Sequence, residues 1–176
     1  METTTGLEKN PESTYVIKFQ DCDPLGHLNN VRYLDIFLNA REEHTMKYYA
    51  LNLMELLKQH QTAWVVTNHQ IAYIRPADHG KSVHLQTRII HFDNSTIVVE
   101  SLMLNENRTK LKSVLWTTFR YVSTSTGRPT DHSDDIMDLL DQLDMDDMYY
   151  DEDGFQERIK SLSKKLKEKE SESEFE

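Results

Sequence analysis

Across residues 31–49 a helical run carries apolar side chains on two adjoining faces, with Val31, Leu34 and Leu38 on one and Tyr33, Phe37 and Ala40 on the next. A helix lying on a protein surface needs only one apolar stripe. One that is apolar over two faces near its start must be covered on most sides, and a sheet curling around it does that. The segments for such a sheet follow, at about 63–75, 81–92, 95–104 and 110–122, all rich in Val, Ile, Thr and aromatic residues. Alternation is clearest in Val83, Leu85, Thr87, Ile89 and in Leu111, Ser113, Leu115, Thr117, Phe119, Tyr121. Asp93-Asn94-Ser95 and Asn105-Glu106-Asn107 read as hairpin turns, and residues 75–80 as a longer connection. Residues 15–20 alternate as a first strand. Asn52, with Glu55 three residues later, has the form of an N-cap and capping-box partner for a short second helix. The order β-α-β-β-β-β predicts an α+β domain with the long helix on one face of an antiparallel sheet.

That domain is expected over residues 14–130, after a polar and disordered opening at 1–13. Ser123-Thr124-Ser125-Thr126-Gly127-Arg128-Pro129 then breaks the pattern, and residues 131–176 form an acidic C-terminal extension with short amphipathic helices. Ile136, Leu139, Leu140 and Leu143 make one stripe; Phe155, Ile159, Leu162 and Leu166 repeat at spacings of four, three and four. The second stripe fits a short coiled coil or docking helix, a helix lying back on its own domain, or a largely disordered tail. Because every strand segment lies before Pro129, a chain ending at 129 or 130 is expected to fold.

The net charge of −10 belongs to this extension: from Asp131 onward there are 17 acidic and 6 basic residues, against 13 and 14 in the first 130. A near-neutral body tolerates an anionic ligand, and the lack of a basic footprint excludes general nucleic-acid binding. No apolar run approaches the ~20 residues of a membrane span, and the opening has neither the basic start nor the apolar stretch of a secretion signal. A soluble, cytoplasmic protein without membrane partners is expected. The lone Cys22 permits no disulfide within the chain. The eight histidines are scattered, and none has a second His or Cys at ligand spacing, so no metal or cofactor is expected.

Chemistry concentrates in residues 21–37. Two carboxylates, a Pro-Leu-Gly turn, an imidazole and two amides fall where the first strand hands over to the long helix. The unpaired, electropositive N–H groups of a helix start can receive a developing oxyanion or a polarised carbonyl, which suggests acyl transfer to water. Asp23 would attack the acyl carbonyl or take a proton from water; the plainer alternative is that it orders the Pro-Leu-Gly turn. Asp21 is better suited to bonding the loop, and Cys22, without a base beside it, to packing. Asn29 and Asn30 cap the helix, and the backbone amide of Asn30 or Val31 is placed to polarise a carbonyl.

Asp21-Cys22-Asp23-Pro24, Gly26-His27-Leu28-Asn29-Asn30, Tyr33-Leu34, Phe37 and Ala40-Arg41-Glu42, in this order and without gaps, resemble the signature of the 4-hydroxybenzoyl-CoA thioesterase family. The resemblance implies a hot-dog fold, in which a curved antiparallel sheet wraps a central helix, and hydrolysis of acyl-CoA or acyl-carrier-protein thioesters. It assigns Asp23 as nucleophile or general base, with His27 and the Asn30 amide beside it. Asn29 and Tyr33 are candidate substrate-contacting positions, although a tyrosine on this face is more often core than acyl pocket. The resemblance also implies a homodimer or tetramer, with residues 63–75 as a pairing strand. Arg108, Lys110 and Lys112, clustered at a hairpin, are the cations best placed by sequence for phosphates of the carrier. Hot-dog hydratases pair Asp and His at a different spacing from that of Asp23 and His27. The remaining rival is a non-catalytic acyl-thioester-binding or scaffold protein acting through its C-terminal extension.

Overall fold

A computed structural model describes residues 7–144 and 149–173. Strand β1 (Glu12–Val16) leads through a single 3-10 turn (Phe19–Asp21) to helix α1 (Asn30–Tyr49) and the shorter α2 (Leu53–His60). Strands β2 (Thr62–Tyr73), β3 (Ser82–Phe92), β4 (Thr96–Asn105) and β5 (Leu111–Ser123) follow, then the two-residue β6 (Arg128–Pro129) and helices α3 (Asp134–Leu143) and α4 (Phe155–Ser173). The sheet runs β1-β3-β4-β5-β2, antiparallel throughout, with β6 extending the pairing of β5. Register shifts between Val66 and Asn68, Ile89 and His91, and Met103 and Leu104 interrupt three of its ladders. Such bulges bend strands and add twist, and the sheet curls into a half-barrel around α1. This is the hot-dog arrangement.

Between α1 and the concave face lies a core of Ile17, Leu28, Tyr33, Ile36, Phe37, Ala40, Val83, Leu85, Met103 and Leu115. The helix is not sheathed on both of its apolar faces, however. Val31 is 70 % exposed, and Leu34 and Leu38 are only partly buried, because the sheet of one chain covers one side of α1. Asn52 caps α2 as expected, accepting from the amides of Met54 and Glu55.

Strand β1 begins at Glu12, earlier than the expected Tyr15, because the register of β3 pairs Glu12 with Gln86 and Val16 with Ser82; Phe19 and Gln20 belong to the turn instead. Of the opening expected to be disordered, residues 1–6 lie outside the described residues. Pro11 is buried, and Leu7 packs beside the Tyr49 and Ile136 cluster.

The C-terminal helices lie back on the body. Ile136, Leu140 and Leu143 of α3 join Tyr49, Ile89, Ile97, Val99 and Tyr121. Phe155 and Leu162 of α4 cover Ile90, Val98, Leu102, Val114 and Trp116 on the convex face. With α1 on one side and α4 on the other, β4 is buried from Thr96 to Leu104 without alternation, as for any strand covered on both faces. No helix among the described residues is long and apolar enough to cross a membrane.

Candidate active site

The loop joining the 3-10 turn to α1 is closed by Asp23. Its Oδ1 accepts from the amides of Leu25 (2.9 Å) and His27 (3.3 Å), while its own amide donates to the His27 carbonyl (2.8 Å) and its carbonyl receives the Gly26 amide (3.0 Å). Gly26 turns the chain at φ +79°, a left-handed conformation that glycine adopts without Cβ strain. No described group donates to Asp23 Oδ2. The loop is in turn pinned to the β2–β3 connection, with the Leu28 amide on the Ala77 carbonyl (2.8 Å) and the His79 amide on the Gly26 carbonyl (3.0 Å).

The two aspartates of the motif thus have different surroundings. Asp21 is fully buried and accepts from the Tyr15 hydroxyl (2.7 Å), the Lys18 amide (3.2 Å) and the Arg32 guanidinium (3.2 Å). Burial by itself would raise its pKa, but these donors outweigh burial and hold the carboxyl below its usual range. The same contact, after burial, pushes Tyr15 up to about 12. Asp21 therefore serves as the anchor that ties β1, the turn and α1 together. Cys22 donates its thiol to the Lys18 carbonyl (3.3 Å), and burial followed by the charges of Asp21 and Asp23 raises its pKa. A thiol kept protonated is a poor nucleophile, which agrees with a packing role.

Asn29 is the N-cap of α1, and its side chain accepts from the Val31 amide at 3.2 Å. Of the two candidate amides, Val31 is thus already engaged. The Asn30 amide, in the first turn, has no partner within the helix. Tyr73 of β2 donates to the Asn30 carbonyl at 3.1 Å and fastens the helix start to the sheet. The His27 imidazole pairs with Asp78, with Nε2 3.4 Å from Oδ1. Asp78, in a segment read only as a connection, went unnoticed in the sequence because nothing local marks its pairing with His27.

Phe19, Gln20, Cys22, Asp23, Gly26 and His79 line an open cleft of about 550 Å³. Exposed apolar side chains adjoin it: Phe19, in its wall, is 84 % exposed and Leu25, between Pro24 and Gly26, is 78 % exposed. Tyr33 does not reach this cleft. It is buried in the core, edge-on to Tyr73 with ring centroids 5.0 Å apart.

The hairpin cations do not act as one cluster. Arg108 pairs with Glu12 at 2.8 Å and borders a groove shared with Lys165 and Lys169 of α4. Lys110 is exposed. Lys112 donates to the Pro76 carbonyl (2.6 Å) and lines a different hollow with Asp78 and Lys81, so among the three it lies nearest to the partner of His27. No group of three His, Cys, Asp or Glu side chains among the described residues could hold a metal ion.

Residues 17–140 match the family model described as the thioesterase-like superfamily. No curated protein matches the sequence. Among solved structures, the fold is similar to that of YbaW, a probable thioesterase from Escherichia coli, at 19 % identity and a TM-score of 0.66, over 75 % of this chain and 97 % of that one. It is similar to a DHNA-CoA thioesterase from Staphylococcus aureus at 16 % identity and TM-score 0.69, over 76 % and 90 %. A hypothetical protein from Staphylococcus aureus, solved in complex with CoA, matches at 12 % identity and TM-score 0.72, over 86 % and 94 %.

Proposed function

The chain belongs to the thioesterase-like superfamily, and from that premise we propose that it hydrolyses an acyl thioester, with Asp23 as the carboxylate that attacks the carbonyl or activates water. The observation that carries this reading is the arrangement of Asp23 itself. One carboxylate oxygen is fixed by two amides of its own turn, and the other takes no hydrogen bond from any described group beside an open cleft. Fixing one oxygen orients the other, and orientation supplies much of the advantage of a positioned nucleophile or base. The Asn30 amide would polarise the thioester carbonyl, stabilising the negative charge that develops on oxygen. If Asp23 attacks, collapse of the tetrahedral intermediate expels the thiolate and leaves a mixed anhydride, which water cleaves to the free acid and the restored carboxylate; if Asp23 activates water, water forms the intermediate directly, and in both routes the proton lost by water ends on the thiolate.

His27, paired with Asp78, would act on the substrate or on water. Lys112 and Lys81 are the cations best situated to meet a phosphorylated carrier such as CoA; the CoA held by the Staphylococcus aureus relative is consistent with that carrier. We also propose that two copies associate. The outer edge of β2 is unpaired among the described residues, and Val65 and Val66 on it, like Val31 on α1, are exposed. A second copy would cover that edge and the open side of α1. The lone, unpaired Cys22 accords with a cytoplasmic setting.

One observation favours a binding-only protein: Asp23 already has a structural task in closing its turn. Thiol release from a panel of aryl-, short-, medium- and long-chain acyl-CoAs separates the readings. Turnover of at least one of them is expected from the wild-type chain, with loss in Asp23→Asn. Binding of acyl-CoA with no thiol released from any of them would leave only the binding role.

A further inference from the structure

Arg41 takes no part in the proposed hydrolysis, although it stands in the motif stretch Ala40-Arg41-Glu42. At about 1.5 Å of rise per residue, it lies roughly 16 Å along α1 from Asn30. There α1, the chain leading into α2, the sheet and α3 line a partly open cavity of about 180 Å³. Most of its wall is apolar, from residues such as Leu38, Ile97, Phe119, Leu140 and Leu143. The polar exceptions are Arg41, Glu42, Thr45 and Tyr49, with the indole of Trp64 alongside.

Three of these are accounted for. Thr45 donates to the Arg41 carbonyl at 2.8 Å, Glu42 is exposed, and the Trp64 indole N–H donates to His132 at 3.0 Å. That leaves Arg41 Nη1 and the Tyr49 hydroxyl, both buried, without a well-formed hydrogen bond, and facing at most one another. The Arg41 guanidinium sits 5.3 Å from the centre of the Tyr49 ring. No carboxylate of the described residues lies within ion-pair distance of Arg41. Burial pushes its guanidinium below the ordinary value, and among its neighbours only Tyr49 opposes the shift. A cation buried without a counterion is costly; an anion entering the cavity would remove that cost.

We propose that this cavity binds a small monocarboxylic acid, with its carboxylate on Arg41 Nη1 and the Tyr49 hydroxyl and its apolar body among Ile97, Phe119 and Leu140. One guanidinium and one hydroxyl match a single carboxylate, whereas the further charge of a phosphate would meet no second cation among the lining residues. The size is suitable as well: an apolar cavity of about 150 Å³ is enough to hold a benzene ring, so this one takes an aromatic ring or a short alkyl chain. The site is separate from the Asp23 cleft, and its ligand class includes the acids that thioester hydrolysis would release.

Titration calorimetry of the full chain with octanoate and benzoate, and with octanol and methyl octanoate as uncharged counterparts, tests the assignment. The wild type should bind an acid at one site per chain and the uncharged counterparts more weakly. Loss of a charge-assisted contact in Arg41→Met should weaken octanoate by at least about tenfold and octanol by less than about twofold. Leu140→Trp, which fills the cavity, should abolish binding of both, whereas Asp23→Asn should leave octanoate binding unaltered. The proposal is overturned if the wild type binds neither acid, or binds methyl octanoate as tightly as octanoate, a comparison that needs no variant to fold. It is equally overturned if Asp23→Asn removes octanoate binding, which would put the acid in the other cleft. Because thiol release is not the readout, failure here leaves the hydrolase reading standing.

Discussion

The guanidinium of Arg158 on α4 forks onto the buried carboxylate of Glu100 on β4, with Nε 2.8 Å from one oxygen and Nη2 2.9 Å from the other. Arg88 of β3 reaches the same carboxylate at 2.8 and 3.0 Å, and the Trp116 indole N–H donates to it at 3.0 Å. The C-terminal helix is therefore bolted to the convex face of the sheet through a charge that the sheet itself buries.

Arg158→Met keeps the apolar stem but removes two charge-assisted bonds to Glu100. The change should lower unfolding free energy by about 2 kcal/mol, measured by denaturant titration. Glu100→Leu leaves two arginines without their carboxylate and should cost more, roughly 3–5 kcal/mol. Equal stability of either variant and the wild type would mean that the network contributes nothing.

Truncation after Thr130 should fail, contrary to what strand positions alone suggest. It would expose Ile90, Val98, Leu102 and Trp116 on one face and Ile97, Val99 and Tyr121 on another. Patches of that kind drive aggregation. Expression of the truncated chain should yield insoluble protein, or protein lacking a cooperative thermal transition; a soluble, cooperatively unfolding fragment would contradict this.

Asp23→Asn preserves shape and leaves an amide oxygen to accept from Leu25 and His27, so the turn should survive. Removing the charge should lower turnover of the best acyl-CoA substrate by at least about 10²-fold. His27→Ala should cost less, since its partner is Asp78. Wild-type turnover by Asp23→Asn would dismiss its catalytic assignment.

Stability should fall on mild acidification. His44 is 1 % exposed, with Nδ1 2.8 Å from the Thr87 hydroxyl. Burial, aided by the charges of Arg41 and Lys47, lowers its pKa from 6.5 to about 4. Burial lowers His69 and His132 as well. Below pH 6.5 the unfolded chain takes up protons that these folded imidazoles refuse. Stability is therefore complete above that pH and is lost as pH falls toward 4, on the order of 3 kcal/mol from His44 alone. Urea unfolding at a series of pH values should show this slope, and His44→Gln should flatten it.

The edge of β2 should mediate self-association. Val65→Lys and Val66→Lys together place charge on the exposed edge, a device that blocks edge pairing. Light scattering should show a dimer for the wild type and a shift toward monomer, about 21 kDa, for the double variant. A monomeric wild type with full activity would dismiss the dimer.

The sequence alone determined what depends on neighbours along the chain. Turn residues, caps and periodicity placed α1 within a residue of its start, put α2 after its Asn52 cap, and located four of the strands. The motif at 21–42 identified the family because its residues lie within one short stretch of chain. Tertiary structure decided what depends on distant partners. Asp21 and Asp23 look equivalent two positions apart, and only the approach of Tyr15 and Arg32 makes one an anchor and leaves the other with an open oxygen. The cations at 108–112 form a cluster in sequence, yet the hairpin sends Arg108 to Glu12 and Lys112 to Pro76. Glu100 reads as an ordinary strand acid until α4 brings Arg158 onto it across 58 residues. Local propensity carries no information about such meetings, because they are fixed by register and helix docking, where burial selects one packing out of many that the chain could reach.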